Sequence, residues 1–163
     1  MSVGTELKFG YPAEGKENAE PLVIETEAGP IRIRGIIDRV DRKNDGLMRV
    51  VDYKTSLASF KKEAMDAGAH IQAGVYAAAV VHALHMGTEC EGMYWGINDK
   101  AVRGYVKYDS EKDEEIPNLE FLNKFTAGIR DASFNAEPAG GDCPDYCPAA
   151  GWCKKYVRRQ KYG

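Results

Sequence analysis

Two aspartates and a lysine are spaced so that they could act together on a phosphodiester. Asp38 follows an alternating apolar run and Asp52 follows Val50-Val51, fourteen residues later. Lys54 lies two residues beyond Asp52 and shares its face of a strand, because side chains alternate along strands. Two carboxylates can hold a divalent cation that activates water and offsets charge, and a lysine can contact the phosphate. The pattern indicates metal-dependent phosphodiester hydrolysis.

The segment that joins the two aspartates predicts a β-hairpin. Residues 31–41 and 47–55 are strand-like, and Asn44-Asp45-Gly46 lies between them as a strong turn signal. A surface hairpin whose charges face solvent is the simpler interpretation. Against it, the apolar residues around both aspartates are typical of strands buried on both faces, where charged side chains are rarely buried without a partner.

The length of the hairpin loop decides whether the two carboxylates meet. A two-residue loop would set Asp38 opposite Tyr53 and point the carboxylates apart. A three-residue loop over 44–46, with Gly46 in the left-handed conformation, sets Asp38 opposite Asp52, with Cβ atoms roughly 4.5–5.5 Å apart. We therefore expect the three-residue loop, or another loop of odd length.

A helix is predicted after the hairpin, over 69–86, where six alanines would let it lie close to a sheet. Gln72 and Tyr76 are four residues apart and share one face of it. Taken alone, Tyr76 would be a core residue and Gln72 a boundary residue; the preceding hairpin favours a role in the site. His70 precedes them and could approach a phosphate.

Together these motifs resemble the PD-(D/E)XK nuclease superfamily, and within it the RecB-type nuclease domain of bacterial helicase–nucleases and the CRISPR-associated exonucleases. The motifs that carry the resemblance are Gly35-Ile36-Ile37-Asp38-Arg39, Asp52-Tyr53-Lys54-Thr55 and Gln72-Ala73-Gly74-Val75-Tyr76, in this order. The resemblance covers roughly residues 21–160. It implies an α/β, restriction-endonuclease-like core with a central mixed β-sheet flanked by helices.

The resemblance also implies roles for individual residues. Its implied catalytic residues are Asp38, Asp52, Lys54, Gln72 and Tyr76. Asp38 and Asp52 would bind Mg²⁺ or Mn²⁺ together with the backbone carbonyl of Tyr53, and Lys54 would be the catalytic lysine. The implied activity is a deoxyribonuclease, an exonuclease on single-stranded DNA or DNA ends, in DNA repair, recombination or the processing of phage or CRISPR DNA. A helicase or another nuclease-complex subunit is the expected partner.

Three cysteines within eleven residues form a second group: Cys143, Cys147 and Cys153. No secretory or transmembrane segment is recognisable, so we expect the protein to be cytoplasmic and not to contact a membrane. In that reducing compartment, clustered thiolates are expected to bind metal and not to form disulfides. Several RecB-type nucleases end in a similar cysteine triplet that binds a [4Fe–4S] cluster, although the first gap here holds three residues where two are usual. Zinc on three thiolates and a histidine is the alternative, and three free thiols the simplest interpretation. Cys90 is expected to be a buried free thiol.

The amino-terminal residues 1–20 are predicted to be irregular, because glycines and a proline interrupt them. The first core helix of the resembled family is then absent, as is an upstream fourth cysteine. We expect the chain to be a carboxyl-terminal fragment or a minimal version of the family. The predicted division is 1–20 as an irregular segment, 21–137 as the nuclease core and 138–163 as a cysteine module with a basic tail.

Composition is compatible with one folded domain of 163 residues, 44% of them hydrophobic. The net charge of −3 argues against an overall electrostatic DNA binder. The carboxyl-terminal tail is nevertheless rich in cations: Lys154, Lys155, Arg158 and Arg159. These side chains could contact phosphates, or they could form the solvated face of a helix, and the sequence favours neither interpretation. A domain that kept the nuclease fold for DNA binding or for docking to another subunit, without catalysis, is the alternative function.

The remaining elements follow from apolar patterning. The predicted order is a strand at 22–26, the hairpin, a short helix near 60–67, the helix at 69–86, strands at 90–97 and 102–108, and a helix at about 117–132.

Overall fold

A five-stranded mixed sheet carries the predicted motifs in this computed structural model, which describes residues 1–12, 20–60, 68, 70–112, 115–135 and 147–153. In chain order the strands are β1 (Ser2–Phe9), β2 (Leu22–Ile24), β3 (Ile31–Ile33), β4 (Gly35–Arg42), β5 (Met48–Lys54), β6 (Glu89–Gly96) and β7 (Ala101–Asp109). The helices are α1 (Gln72–His82) and α2 (Leu119–Arg130). The sheet order is β1-β4-β5-β6-β7, with β5 and β6 parallel and the other pairs antiparallel, while β2 and β3 form a separate two-stranded sheet. The predicted α/β class and mixed sheet are confirmed.

The hairpin between β4 and β5 has the predicted three-residue loop. The Lys43 N–H donates to the Leu47 carbonyl at 2.9 Å, and the Gly46 N–H donates to the Lys43 carbonyl at 3.1 Å. Gly46 has φ +89°, a left-handed conformation that glycine adopts without a steric penalty. The ladder then runs in step from Arg42 opposite Met48, which is the register that the loop length predicts.

The prediction that residues 1–20 are irregular is wrong for Ser2–Phe9, which form the edge strand β1 along β4. Leu7 and Phe9 turn toward the apolar core, and Phe9 is fully buried. Gly4 and Gly10 suggested a break, but pairing with β4 keeps residues 2–9 extended. Residues 1–12, the described part of that segment before Glu20, contain no helix.

The segment predicted as one strand over 31–41 is divided at Arg34. Residues before it pair with β2, and residues after it pair with β1 and β5. Gly35 marks the change of partner: a Cβ there would lie 2.8 Å from the Phe9 ring and 3.2 Å from the Tyr76 ring. The other strands and helices lie within a few residues of their predicted bounds, and the short helix predicted near 60–67 falls almost wholly outside the described residues.

Small residues allow α1 to pack closely on the sheet. The helix connects the parallel strands β5 and β6 and contacts β5, β6 and β7. A Cβ on Gly92 of β6 would lie only 2.2 Å from the Ala73 carbonyl oxygen, so the backbone of the helix approaches the strand more closely than a side chain permits. The amino-terminal end of α1, with Gln72, is thereby held against the ends of β5 and β6. In the part of the chain that is described, no helix is both long and apolar enough to cross a bilayer.

Candidate active site

Asp38 lies where the pairing of β4 and β5 changes. The regular ladder stops at Arg39 opposite Val51, and one further step in the same register sets Asp38 opposite Asp52. Beyond the ladder, the Tyr53 N–H donates to Oδ2 of Asp38 at 2.8 Å. A side chain of β4 thus joins the two strands at the point where Asp52 and Lys54 emerge.

The turning of Asp38 toward β5 has a local cause in β4. Ile37 and Val40 are both fully buried in the same apolar cluster although they are three residues apart. A regular strand would place them on opposite faces, since its side chains alternate. The strand therefore changes phase between Ile37 and Val40, in the segment that contains Asp38, whose carboxylate reaches the neighbouring strand.

Asp52 is a buried carboxylate with an unsatisfied oxygen. Its residue exposure is 3%, and its Oδ2 has no hydrogen-bond partner among the described residues. The Lys54 ammonium lies 2.6 Å from that oxygen and is its one cationic partner among the described residues. Burial raises the pKa of Asp52 above its ordinary value; the Lys54 charge opposes that rise and the nearby Asp38 adds to it. A buried acceptor in this state favours an added cation.

Lys54 connects the carboxylates to α1. Its Nζ donates to Oε1 of Gln72 at 2.8 Å, and Nε2 of Gln72 lies 3.5 Å from the Tyr76 hydroxyl. The Tyr76 ring also meets the Phe9 ring edge-on, with centroids 6.1 Å apart. The structure thus brings the predicted residues Asp38, Asp52, Lys54, Gln72 and Tyr76 to one end of the sheet, in the contacts described above.

Tyr94 supports the site and was missed by the sequence analysis. It pairs with Asp52 across β5 and β6, and its hydroxyl accepts a hydrogen bond from the Ala73 N–H at 3.0 Å. Burial raises the pKa of Tyr94 to about 12. The Lys54 ammonium lies 5.7 Å from its ring centroid. The only signal in the sequence was its position in the strand predicted over 90–97, which does not distinguish it from a core residue.

The donor set of this site fits a hard divalent cation. Asp38 and Asp52 supply carboxylate oxygens, and the backbone carbonyl of Tyr53 lies in the chain between Asp52 and Lys54. Among the described residues, no three His, Cys, Asp or Glu side chains gather as a fuller metal site. Magnesium commonly keeps several waters and takes only one or two protein carboxylates, so a pair suffices for it. The orphaned Oδ2 of Asp52 is the observation that favours the fit.

The remaining candidates divide between described and undescribed parts of the chain. Cys147 and Cys153 are free, partly buried thiols in a short turned segment. Cys90 is a buried free thiol, as predicted, and burial raises its pKa to about 12. His70 stacks on Phe60 with ring centroids 3.8 Å apart. Predicted residues that fall outside the described ones are Cys143, Lys154, Lys155, Arg158 and Arg159.

Comparison with known families decides the ancestry of this arrangement. The family model of the PD-(D/E)XK nuclease superfamily matches residues 1–154. The chain belongs to the PD-(D/E)XK nuclease superfamily. The match includes β1 and therefore extends further toward the amino terminus than the resemblance over residues 21–160.

Two curated relatives are large bacterial proteins. The chain is 37% identical over 125 residues to an ATP-dependent helicase/deoxyribonuclease subunit of Streptococcus mutans, covering 76% of this chain and 10% of the relative. It is 32% identical to the protein of the same name from Alkaliphilus oremlandii, covering 71% of this chain and 11% of that one. The chain thus spans about a tenth of the length of these relatives. The crystal structure of SSO0001 has a TM-score of 0.48 and 12% identity, covering 93% of this chain and 59% of that one.

Proposed function

We propose that this chain is a metal-dependent DNA nuclease domain of the RecB type. The observation that carries the proposal is the junction of Asp38, Asp52 and Lys54 at one end of the sheet, with Oδ2 of Asp52 buried and without a hydrogen-bond partner among the described residues. Family membership supports the same chemistry. Exonuclease action on single-stranded DNA or DNA ends, within a helicase–nuclease complex, is the finer form of the proposal; the names of the two relatives support only its deoxyribonuclease and helicase parts.

Each residue of the site has a distinct task in this mechanism. Asp38, Asp52 and the Tyr53 carbonyl would hold Mg²⁺ or Mn²⁺, which when bound supplies charge neutralisation and activation of water. Lys54 carries a positive charge at the mouth of the site, where it stabilises negative charge that develops on the phosphate oxygens. Gln72 accepts from the Lys54 ammonium and so limits its side-chain freedom.

The experiment is degradation of end-labelled single-stranded DNA with Mg²⁺, with Mn²⁺ and with a chelator. Lys54→Ala should slow cleavage by about a hundredfold or more, because the loss of one preorganised charge at a reacting group has an effect of that order. Lys112→Ala is the matched control: Lys112 is an exposed cation paired with Asp109 at the opposite end of β7. Equal cleavage by wild type and Lys54→Ala would contradict the proposal.

A catalytically incomplete DNA-binding or docking domain is the second candidate. It is favoured by the small donor set, since no three His, Cys, Asp or Glu side chains gather among the described residues. This candidate predicts that the chain binds single-stranded DNA but leaves it intact with either metal. Metal-dependent cleavage that Lys54→Ala removes would exclude it.

We also propose that Cys143, Cys147 and Cys153 bind a metal centre, a [4Fe–4S] cluster or, alternatively, zinc. Two of the three thiols, Cys147 and Cys153, are described, and neither is part of a disulfide. Protein purified without oxygen should contain iron and sulfide, or one zinc, and Cys147→Ser should lower that content while Cys90→Ser should not. Metal-free protein with freely titratable thiols would contradict this part of the proposal.

A further inference from the structure

A polar cleft of about 630 Å³ opens at the junction of β3 and β4. Its walls include Tyr11, Arg32 and Arg34. The Arg34 guanidinium lies over the Tyr11 ring, 5.0 Å from the centroid. Both arginines are exposed, and neither forms an ion pair with any described residue. Two exposed guanidinium groups, one of them over an aromatic ring, are suited to phosphates and an unstacked base.

The cleft is joined to the candidate active site through the start of β4. Arg34 directly precedes Gly35, and Gly35 lies beneath the Tyr76 ring that belongs to the site. Four residues of strand separate Arg34 from Asp38, which is roughly 13 Å at about 3.3 Å per residue. That distance corresponds to about four stacked nucleotides at roughly 3.4 Å each. A strand whose scissile phosphate lay at Asp38 and Lys54 could therefore extend past Tyr76 into the cleft.

We infer that this cleft, which we call the Arg32–Arg34 cleft, binds the single-stranded DNA that flanks the cleaved phosphate. Arg32 and Arg34 contact phosphates, and Tyr11 stacks on a base through its free face. The inference rests on the proposed nuclease function for the nature of the ligand. One negative charge in the cleft would repel phosphates. Glu20 also lines the cleft, and its carboxylate lies 4.0 Å from Nε2 of His85. The two arginines outnumber that carboxylate, so the cleft has a net positive charge among its described residues.

The test measures binding of a fluorescent oligothymidylate of about twelve nucleotides to the full chain, in a chelator so that cleavage cannot occur, over a series of salt concentrations. The double variant Arg32→Ala plus Arg34→Ala should bind more weakly. The slope of log affinity against log salt should fall by about 1.4, because each lost phosphate contact on a single strand removes roughly 0.7. Arg42→Ala plus Lys112→Ala, which removes two exposed cations at the other end of the sheet, should leave the slope unchanged.

Tyr11→Leu tests the stacking contact separately. Affinity should fall about fivefold or more, while the salt slope stays the same, because stacking on an aromatic ring contributes about 1–3 kcal/mol per base and releases no counterions. Thermal unfolding of each variant checks that the fold is retained. An unchanged slope in the arginine double variant would overturn the inference. Binding with the expected slope change but no cleavage with Mg²⁺ or Mn²⁺ would support the cleft and reject the nuclease proposal.

Discussion

The two faces of the central sheet each bury a carboxylate, and the pKa values of the two carboxylates are shifted in opposite directions. Glu91 on β6 is 2% exposed and lies beside Arg49, on the face away from Asp52. Tyr105 donates to its Oε2 at 2.7 Å, the Arg49 Nε donates to its Oε1, and the Lys43 ammonium lies 3.6 Å away. Burial alone would raise the pKa of Glu91, but these hydrogen bonds and charges lower it below its ordinary value.

Asp52 is buried to the same extent, yet its pKa is raised. The difference lies in the partners, since Asp52 has one cation beside an orphaned oxygen and a second carboxylate nearby, whereas Glu91 is satisfied on both oxygens. A satisfied buried carboxylate stabilises the fold and is closed to further ligands. An unsatisfied one costs stability and remains available to a cation. Burial alone therefore does not distinguish the two carboxylates; the number of partners around each one does.

The largest effect that this comparison predicts is on activity. Asp52→Asn should reduce metal-dependent cleavage by more than about a hundredfold, because it removes a proposed metal ligand. The free energy of unfolding of the Asp52→Asn variant at neutral pH should equal or slightly exceed that of the wild type, because the raised pKa of Asp52 means that its ionised carboxylate opposes folding. Cleavage assays and thermal unfolding in chelator measure the two effects. A variant that cleaves normally would place the metal site elsewhere.

Glu91→Gln should show the reverse pattern, with lost stability and retained chemistry. We expect the free energy of unfolding at neutral pH to fall by about 1–3 kcal/mol, because the hydrogen bonds of Arg49 and Tyr105 lose their charged acceptor. Urea denaturation measures this loss. Glu89→Gln is the matched control, because Glu89 pairs with Lys107 as a partly exposed ion pair and such pairs contribute at most about 1 kcal/mol. Cleavage per folded molecule should be normal in both variants.

The pH dependence of stability separates the two carboxylates further. The pKa of folded Asp52 is raised above 3.8, so between pH 3.8 and that raised pKa the folded state keeps a proton that the unfolded state loses. Stability therefore falls as pH rises through this range. For Glu91, the pKa is lowered below 4.5, so stability falls as pH drops below 4.5. Relative to wild type, Asp52→Asn should gain stability as pH rises, while the deficit of Glu91→Gln should shrink as pH falls. Urea denaturation in chelator at several pH values would show both trends, and parallel curves would contradict them.

The fold and most of the site could be predicted because the deciding signals are local. The loop with Gly46 determines the hairpin register, which brings Asp38 to the end of the ladder beside Asp52 and Tyr53. The four-residue spacing of Gln72 and Tyr76 places both on one helical face. Each conclusion requires only strand alternation, turn geometry or helical period, all of which are readable within a few residues.

What could not be predicted depends on contacts between distant segments. β1 exists because β4 supplies its hydrogen-bond partners, and the phase change at Asp38 depends on how Ile37 and Val40 reach one core. The Glu91 network joins side chains from the hairpin, β6 and β7. The cleft near Arg34 arises where the chain leaves one sheet for another. In the sequence, the residues that form these features look like those of any other strand, so no local pattern predicts them.

The smallest predicted effect concerns how far the polar network extends on the α1 side of the sheet. Gln72→Ala should slow cleavage by about tenfold, because the Lys54 ammonium loses an acceptor at 2.8 Å and hydrogen bonds to charged groups contribute about 1.5–3 kcal/mol.

Tyr76→Phe should slow cleavage by less than about threefold. Its hydroxyl is 3.5 Å from Nε2 of Gln72, at the limit of a hydrogen bond, and the ring contact with Phe9 is kept. Single-turnover cleavage rates at saturating metal compare the two variants directly. If Tyr76→Phe were as slow as Gln72→Ala, the Tyr76 hydroxyl would act on the substrate itself and not merely through Gln72.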